Sequence, residues 1–321
     1  MNANRTMILF GAGASFGSEP GHVRVPPLCN GLFDELSKFS PELWGSLPAP
    51  YPDLFRNDFE AAFRQLGADI PEQIVIGHRP NSYPAQLTGP LQRKMAEFFL
   101  DFVPTERSLY FNLAKRIKKS KWKGVLATLN YELLLLLAIK ENRVPVCLDP
   151  WDDAHLRLCL PHGSSALLIS PGRVVGNIMF SGFDNRIKGV GAVLESNIHV
   201  AKQRLKEETT PPVMSHFEPS KGVVTCPEVL EVQRKLFAKA IDEAEAVVIV
   251  GVSVREHDRH IWEPLQSTLA TVIYCSPSQA SIDEFQRWAS LNRWGKQSEV
   301  LPHSFKDGFE RICEYAHIGQ Q

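Results

Sequence analysis

Residues 7–15 read Met7-Ile8-Leu9-Phe10-Gly11-Ala12-Gly13-Ala14-Ser15, an apolar run that ends in small residues. The run predicts a buried β-strand, and the small residues after it predict a turn that leads into a helix. Glycines at such a turn let the backbone bend sharply and approach a pyrophosphate, whose charge is favoured by free N–H groups at a helix start. The stretch therefore predicts a first strand that delivers a phosphate-binding turn.

This turn departs from the dinucleotide-binding fingerprint G-x-G-x-x-G. The third glycine of the fingerprint would fall at position 16, where the chain has Phe16, and Gly17 comes one place late. An acidic residue at the end of a second strand, about 20 residues further on, is also missing. Asp34 and Glu35 fall instead in the segment 28–39, whose pattern is helical. An ordinary dehydrogenase turn is therefore disfavoured, and a nucleotide would bind in another way.

The composition indicates a globular chain with a large core, since 44% of its 321 residues are hydrophobic. No apolar run approaches the roughly 20 residues that cross a bilayer, and the first residues do not resemble a signal peptide. The six cysteines include no C-x-x-C pair, which predicts neither a zinc site nor a disulfide framework and suits a reducing cytoplasm. The net charge of −1 gives no overall attraction to nucleic acid or membrane.

Strand, turn and helix units recur along the chain. After the first strand, further strands are predicted at 124–127, 144–148, 156–160, 246–250 and 271–275. Helices are predicted at 28–39, 58–66, 91–102, 106–119, 133–139, 194–207, 227–243, 257–269, 282–291 and 305–316. This rhythm predicts an α/β fold, a Rossmann-like doubly wound parallel sheet.

Two segments interrupt that rhythm. Between residues 40 and 90, eight prolines break the pattern into short pieces, which predicts a helical, proline-rich insertion at about 40–120 within one domain that spans 1–321. The helices at 91–102 and 106–119 are expected to pack as a pair. Farther along, Ala166–Ser170 and Val174–Met179 are predicted to form a small hairpin around Pro171-Gly172.

A basic run at 115–123 carries six cations. Such a run can bind nucleic acid, but it also suits the C-terminus of a helix, where cations complement the helix dipole and stay solvated. The second interpretation is favoured, and direct nucleic-acid contact is not expected.

Three further strand ends carry polar turns. Thr128-Leu129-Asn130-Tyr131-Glu132 follows the strand at 124–127, Pro161-His162-Gly163-Ser164 ends the strand at 156–160, and Gly251-Val252-Ser253 follows 246–250. Ligands of doubly wound sheets bind at the carboxyl ends of the strands, so the four turns are predicted to form one site. Beyond the fourth turn, Arg255, His257 and Asp258 either face the ligand or simply begin a helix, and the sequence does not decide between these.

The four turns in this order resemble the sirtuin superfamily, whose pattern is GAGxS, TxNxD, HG and GxS. The resemblance covers residues 7 to about 275 and is strongest to the bacterial sirtuin-like NAD hydrolases of phage-defence systems, whose second motif is typically TxNYD. It implies one sirtuin-like NAD-binding domain that cleaves the nicotinamide–ribose bond of NAD without a metal. It also implies that NAD depletion serves antiviral defence by abortive infection.

The same resemblance implies roles for individual residues. Gly11, Ala12, Gly13 and Ser15 would contact the NAD pyrophosphate, Thr128 and Glu132 would belong to the NAD-binding set, and Gly251 and Ser253 would close the adenosine side. His162 would be the general base, a task that suits a group with an ordinary pKa near 6.5.

Asn130 and Glu132 carry open questions. Asn130 would contact the ribose or the attacking water, although an Asn there could also merely cap the following helix. Glu132 stands where the family usually has an Asp that contacts the nicotinamide amide, and its extra methylene could shift that contact or weaken turnover.

Other function classes remain. An NAD-dependent protein deacylase is disfavoured because the two C-x-x-C pairs of the deacylase zinc module are missing. A non-catalytic NAD or ADP-ribose sensor, or a nucleic-acid-binding subunit, would also fit single features.

An NAD-degrading enzyme in the cytoplasm needs restraint, which predicts a homo-oligomer or a complex with a defence partner such as an ATPase or an Argonaute-like protein. Its docking surface is expected in segment 40–90 and the C-terminal helices, where apolar side chains are more numerous than a solvated insertion needs. These include Trp44, Phe55, Phe59, Phe63 and Trp294, some of which must pack on their own domain.

Overall fold

The computed structural model describes residues 5–21, 23–68, 74–76, 79–82, 84–170, 186–187, 191–215, 224–255 and 258–319. The strands within these ranges are β1 Thr6–Phe10, β2 Ile74–Ile76, β3 Arg79–Ser82, β4 Val125–Thr128, β5 Val146–Cys147, β6 Leu156–Cys159, β7 Leu167–Ile169, β8 Arg186–Ile187, β9 Ala192–Leu194, β10 Val224–Thr225, β11 Ala246–Val250, β12 Thr271–Cys275 and β13 Ser298–Leu301. The helices are α1 Ala12–Phe16, α2 Cys29–Phe39, α3 Tyr51–Asn57, α4 Phe59–Ala68, α5 Pro84–Phe99, α6 Leu109–Ser120, α7 Leu134–Glu141, α8 Ile198–Glu207, α9 Pro227–Glu243, α10 Arg259–Ser267, α11 Gln279–Asn292 and α12 Phe309–Tyr315.

Seven strands form one sheet in the order β13-β12-β11-β1-β4-β6-β5, and every neighbouring pair in it is parallel. The chain leaves β1 for β4 on one side and later returns to β11 on the other side. The strand order therefore reverses between β1 and β11, which opens a crevice at their carboxyl ends. The predicted doubly wound parallel sheet is confirmed.

Helices cover both faces of this sheet. All five residues of β1 are buried, and alternate side chains point to opposite faces because a strand repeats every two residues. Ile8 and Phe10 pack with side chains of α2, α5, α6, α7 and α12, whereas Met7 and Leu9 pack with those of α9, α10 and α11. Burial on both faces explains why β1, β11 and β12 are continuous apolar runs rather than alternating ones.

Helices α3 to α6 lie in the predicted insertion and, with α2, share the apolar core on one face of the sheet. At their centre the Trp44 ring lies 5.2 Å from that of Phe55 and 5.6 Å from that of Phe59. Trp44, Phe55, Phe59 and Phe63 are each at most 8% exposed. The expectation that these four form a docking surface is therefore wrong, because they bury one another; Trp294 alone of the named set is exposed, at 91%. The single-domain organisation stays a prediction.

The structure differs from the sequence-based prediction in which helices pack together and in one additional strand of the seven-stranded sheet. The helices predicted at 91–102 and 106–119 do not form a pair: α5 packs on α4 and α6 packs on α7. The start of helix α6 lies beside the segment that follows α1, because the Leu109 amide donates to the Ser18 carbonyl at 2.8 Å. Strand β13 was missed because its edge position leaves three of its four residues partly exposed, so they form no apolar run.

Only the first strand of the hairpin predicted at 166–179 lies within the described residues. Strand β7 pairs antiparallel with β9, and residues 171–185, including Val174–Met179, lie outside the described residues. Leu194 therefore belongs to β9, and α8 begins only at Ile198, where the Asn197 side chain accepts from the amides of the helix start.

The basic run at 115–123 lies at the C-terminus of a helix, α6, as the favoured interpretation predicted. Arg116 forms two hydrogen bonds to the Glu310 carboxylate, at 2.6 and 2.7 Å. Among the described residues, no helix is long and apolar enough to span a bilayer.

The C-terminal segment is attached to the amino ends of the central strands. The Ala316 carbonyl accepts from Trp122 Nε1 at 2.7 Å and from Thr6 Oγ1 at 3.0 Å. Thr6 begins β1, and Trp122 lies just before β4. The segment around Ala316 thus holds the amino ends of β1 and β4, at the opposite end of the strands from the four turns.

The aromatic core of the insertion predicts a large cost for removing Trp44. Because Trp44 is fully buried, Trp44→Ala should lower the free energy of unfolding by about 3–5 kcal/mol. Trp294→Ala, at a site 91% exposed, should change it by less than about 0.5 kcal/mol. Chemical denaturation of both variants measures the difference, and equal effects would contradict the assignment of Trp44 to the core.

Candidate functional site

The first and fourth turns pack backbone to backbone across the crevice between β1 and β11. The Gly11 amide donates to the Val250 carbonyl at 2.9 Å, and the Gly13 amide donates to the Gly251 carbonyl at 3.0 Å. A Cβ atom on Gly11 would lie 2.5 Å from the Gly251 oxygen, and one on Gly251 would lie 2.3 Å from the Ala14 nitrogen. Neither position has room for a side chain.

The physical reason for the glycine at position 11 differs from the predicted one. Gly11 has φ −115° and ψ −175°, which is extended backbone that any residue adopts, so a sharp bend does not require glycine there. Gly251, at φ +64°, does have the left-handed backbone that favours glycine. Close contact between the two turns is what excludes side chains at Gly11.

A buried network of hydrogen bonds joins the first turn to the second. Asn130 Nδ2 donates to the Gly11 carbonyl at 3.0 Å and to Ser15 Oγ at 2.8 Å. Ser15 Oγ donates to Glu132 Oε1 at 2.5 Å and lies 2.9 Å from the Tyr110 hydroxyl. Because the Ser15 hydrogen goes to Glu132, Tyr110 is the donor in its own bond to Ser15.

Glu132 holds the second turn as well as the first. Its other oxygen, Oε2, accepts from the Leu134 amide at 2.6 Å, at the first position of α7. Glu132, and not Asn130, therefore caps this helix. Burial raises the pKa of the Glu132 carboxyl, and hydrogen bonds from Ser15 and Leu134 oppose that rise. Burial also holds the pKa of the Tyr110 hydroxyl well above its ordinary value, which keeps this donor neutral.

Thr128, the last residue of β4, supports the same turn. Its Oγ1 accepts from the Asn130 amide at 3.1 Å, and its side chain is buried. The Thr128, Asn130, Ser15 and Glu132 side chains are each at most 8% exposed. In this structure they bind one another, and together they fix the shape of the first two turns.

The third turn packs on the second. The Ser165 amide and hydroxyl both donate to the Tyr131 carbonyl, at 2.9 and 2.7 Å. Gly163, at φ +75°, forms an isolated antiparallel bridge with Met214, and the Ser215 amide donates to the His162 carbonyl at 2.8 Å. These bonds hold the backbone on both sides of His162.

The third turn also reaches the segment after the fourth turn. His162 Nε2 lies 3.0 Å from His260 Nε2 and 3.7 Å from Asp258 Oδ1. Asp258 immediately precedes α10 and His260 lies in its first turn. Of the two open interpretations of Arg255, His257 and Asp258, the start of a helix holds for Asp258, and its contact with a ligand stays a prediction; His257 lies outside the described residues.

The four turns therefore form a closed ring at the carboxyl edge of the sheet. Within it, Ala12, Gly13 and Ser253 are exposed, whereas Gly11, Ala14 and Ser15 are buried. The exposed part of the ring is mostly backbone with small side chains, a surface that a bulky anionic group can approach closely.

An apolar concavity lies elsewhere in the described part of the chain. It has a volume of about 510 Å³ and lies between α7, β5 and the residues after β9, with Leu133, Leu137 and Val146 in its lining. It shares no residue with the four turns, and its apolar walls do not suit a pyrophosphate. The ring of turns is therefore the candidate site.

The structure brings all ten sequence-predicted site residues to this ring. It adds Tyr110 and His260, which sequence reasoning missed. Tyr110 lies on the apolar face of α6 and gave no signal that separates it from a core residue. His260 follows Asp258 by two residues after a strand-end turn, a spacing that could have drawn attention to the pair.

No family model and no curated protein matches the sequence. Among solved structures, the chain is similar to two mutant Sir2 homologues in complex with ADP-ribose, at 12% identity and TM-scores of 0.43 and 0.42. It is also similar to a Sir2 homologue in complex with NAD, at 12% identity and a TM-score of 0.42. These alignments cover 97% of this chain and 91%, 91% and 89% of the others. The fold assignment rests on the sheet described above and not on this likeness.

The packing of the turns predicts that Gly251 tolerates no side chain. Gly251→Ala should destabilise the chain by more than the roughly 1–2 kcal/mol that left-handed backbone costs an ordinary residue, because its Cβ also meets the Ala14 nitrogen. Gly295→Ala is the matched control, since Gly295 has φ +73° but a Cβ added there would have no atom within 4 Å. Equal melting temperatures of the two variants would contradict the contact.

The buried Glu132 carboxyl predicts a pH dependence of stability. Its pKa is raised above the ordinary 4.5, so the folded chain holds this proton more tightly than the unfolded chain. The contribution of Glu132 to the free energy of unfolding therefore falls as pH rises from about 4.5 through the raised pKa. Relative to Glu132→Gln, the wild type should lose melting temperature over this interval.

Glu310→Gln provides the control of opposite sign. The Arg116 hydrogen bonds lower the pKa of Glu310. The stabilising contribution of Glu310 therefore grows as pH rises from this lowered pKa to the ordinary 4.5. The change for Glu310 lies below about pH 4.5, so melting temperatures of the three proteins between about pH 3 and pH 8 test both signs. A wild type that gains stability relative to Glu132→Gln with rising pH would contradict the raised pKa.

Proposed function

We propose that this chain is an NAD hydrolase that cleaves the bond between nicotinamide and ribose and releases nicotinamide and ADP-ribose. The observation that carries the proposal is the closed ring of four polar turns at the carboxyl edge of a doubly wound sheet. The order of these turns, and their resemblance to the sirtuin pattern, support NAD as the ligand.

The exposed backbone at Ala12, Gly13 and Ser253 suits the pyrophosphate and adenosine part of NAD. Gly11 and Gly251 keep this surface free of side chains, because each is in van der Waals contact with the opposite turn. The buried set of Ser15, Thr128, Asn130 and Glu132 supports it from beneath. Direct contact of these four side chains with NAD stays a prediction from the resemblance.

His162 is proposed as the general base. In the reaction the nicotinamide–ribose bond breaks, an oxygen of water bonds to the ribose carbon, and the water proton passes to the imidazole. The intermediate charge on the ribose resembles an oxocarbenium ion. The His162 side chain is 12% exposed, so it is close to solvent yet held by its neighbours.

The physiological role is a further part of the proposal. NAD depletion would serve antiviral defence by abortive infection, as the resemblance to phage-defence NAD hydrolases suggests. Restraint would come from a homo-oligomer or from a defence partner such as an ATPase or an Argonaute-like protein. The exposed Trp294 side chain, at 91%, is the remaining candidate of the predicted docking set.

One observation favours a second function, a non-catalytic sensor of NAD or ADP-ribose. Both oxygens of Glu132 are bonded to protein groups, so this carboxylate does not project toward a nicotinamide in this structure. The same ring of turns would then bind the nucleotide without cleaving it.

The experiment incubates the purified chain, in the oligomeric state in which it elutes, with NAD and separates the products by chromatography. Nicotinamide and ADP-ribose are expected in equal amounts without acyl-lysine peptide. His162→Asn keeps the size of the side chain but removes the base, so turnover should fall by about 10²-fold or more. His155→Asn is the matched control, because His155 lies on the surface beside Asp152.

Three results would overturn the hydrolase proposal. NAD that survives while ADP-ribose binds would establish the sensor instead, and cleavage only with an acyl-lysine peptide would establish a deacylase. Equal turnover in His162→Asn and the wild type would remove His162 from the reaction. Melting temperatures of both variants within about 2 °C of the wild type exclude a folding defect.

A further inference from the structure

The histidine of the third turn belongs to a second constellation of potential ligands. His162, Asp258 and His260 each direct one ligand atom toward the others, and these three atoms lie within 4.8 Å of one another. The His162 and Asp258 side chains are 12% and 17% exposed. The cluster is thus largely shielded from water but still open to a small ion.

Two contacts of His162 involve the same nitrogen. Nε2 lies 3.0 Å from His260 Nε2 and 3.7 Å from Asp258 Oδ1. Two imidazole nitrogens and a carboxylate oxygen thus lie within 4.8 Å of one another, and these are kinds of atom that bind transition-metal ions.

The distances and ligand types fit a divalent transition-metal ion. Two nitrogens that each lie about 2.0–2.1 Å from zinc stand roughly 2.8–3.4 Å apart at ligand angles of about 90–110°, and the observed separation is 3.0 Å. Two imidazoles and one carboxylate bind zinc and its first-row neighbours, and three protein ligands leave a position open.

The backbone holds these ligands before any ion binds. The Ser215 amide fixes the carbonyl of His162, and Gly163 bridges to Met214. On the other side the Asp258 amide donates to the Arg255 carbonyl at 3.0 Å, and the Asp258 carbonyl accepts from the Ile261 amide at 2.8 Å. The carboxylate oxygen, 3.7 Å from His162 Nε2, would have to move closer to share an ion with the two imidazoles.

We propose that His162, Asp258 and His260 form a binding site for a divalent transition-metal ion of the zinc class, and that this ion inhibits the enzyme. An ion on His162 Nε2 occupies the lone pair that would accept the proton of water, so a bound ion and a working base exclude each other. The inhibitory part rests on the proposed function. The metal site itself does not.

The sequence-based expectation of a chain without metal rested on the missing C-x-x-C pairs. It did not address this set, because 98 residues separate His162 from His260 and only the fold brings them together.

Isothermal titration of the chelator-stripped full chain with Zn²⁺ tests the site directly. One ion per chain should bind, and His260→Ala should weaken that binding by at least about tenfold, the loss typical of changes around metal sites. His155→Ala is the matched control, since His155 also pairs with a carboxylate, that of Asp152, but without a second imidazole. Mg²⁺, which prefers oxygen ligands, should not compete.

A stripped chain that binds no Zn²⁺, or a His260→Ala variant that binds it as tightly as the wild type, overturns the site. Turnover provides the second readout: Zn²⁺ should inhibit NAD cleavage in the wild type, and a chelator should restore it. The residual turnover of His260→Ala should resist Zn²⁺, and equal inhibition of both proteins overturns the inhibitory role. A chain that binds Zn²⁺ at these residues but never cleaves NAD keeps the metal site and refutes only the proposed function.

Discussion

The contact between the backbones of the first and fourth turns is the constraint on which the site depends. Strands β1 and β11 are neighbours, so the turns that leave them emerge side by side. Helices on opposite faces of the sheet would normally carry such turns apart. The hydrogen bond from the Gly13 amide to the carbonyl of Gly251, a position without room for a Cβ, holds them together instead.

Polar side chains extend that constraint to the remaining turns. Asn130 and Glu132 tie the second turn to Ser15, and the Tyr131 carbonyl accepts from the third turn. The network is buried, and an unpaired polar group in such a place would cost more than any single bond contributes. Loss of one member of the network would therefore disturb several turns at once. Such a side chain supports the shape of the site, which is a different role from direct contact with a ligand.

Much of this arrangement could be predicted from the sequence, because strands that are buried on both faces are continuous apolar runs in the sequence. Strands β11 and β12 have the predicted bounds, and all four turns follow strands of the same sheet. Edge strand β13 has no such run, and the partner of β7 lies more than 20 residues further along the chain, so local pattern could not find either. Trp44 and its aromatic neighbours look alike in sequence whether they face a partner or one another. His260 approaches His162 only because the chain crosses from one half of the sheet to the other, and a local sequence pattern does not show this.

The position of β1 at the centre of the sheet also has a consequence for synthesis on the ribosome. Its two neighbours begin about 120 and 240 residues later in the chain, as the pairings of Met7 with Val125 and of Thr6 with Ala246 show. A nascent chain therefore carries its first turn through the synthesis of about 240 further residues before the strand that completes the crevice is made. Whatever chemistry the four turns perform, an amino-terminal fragment that ends before β11 lacks the fourth turn and the neighbour of β1 that holds it.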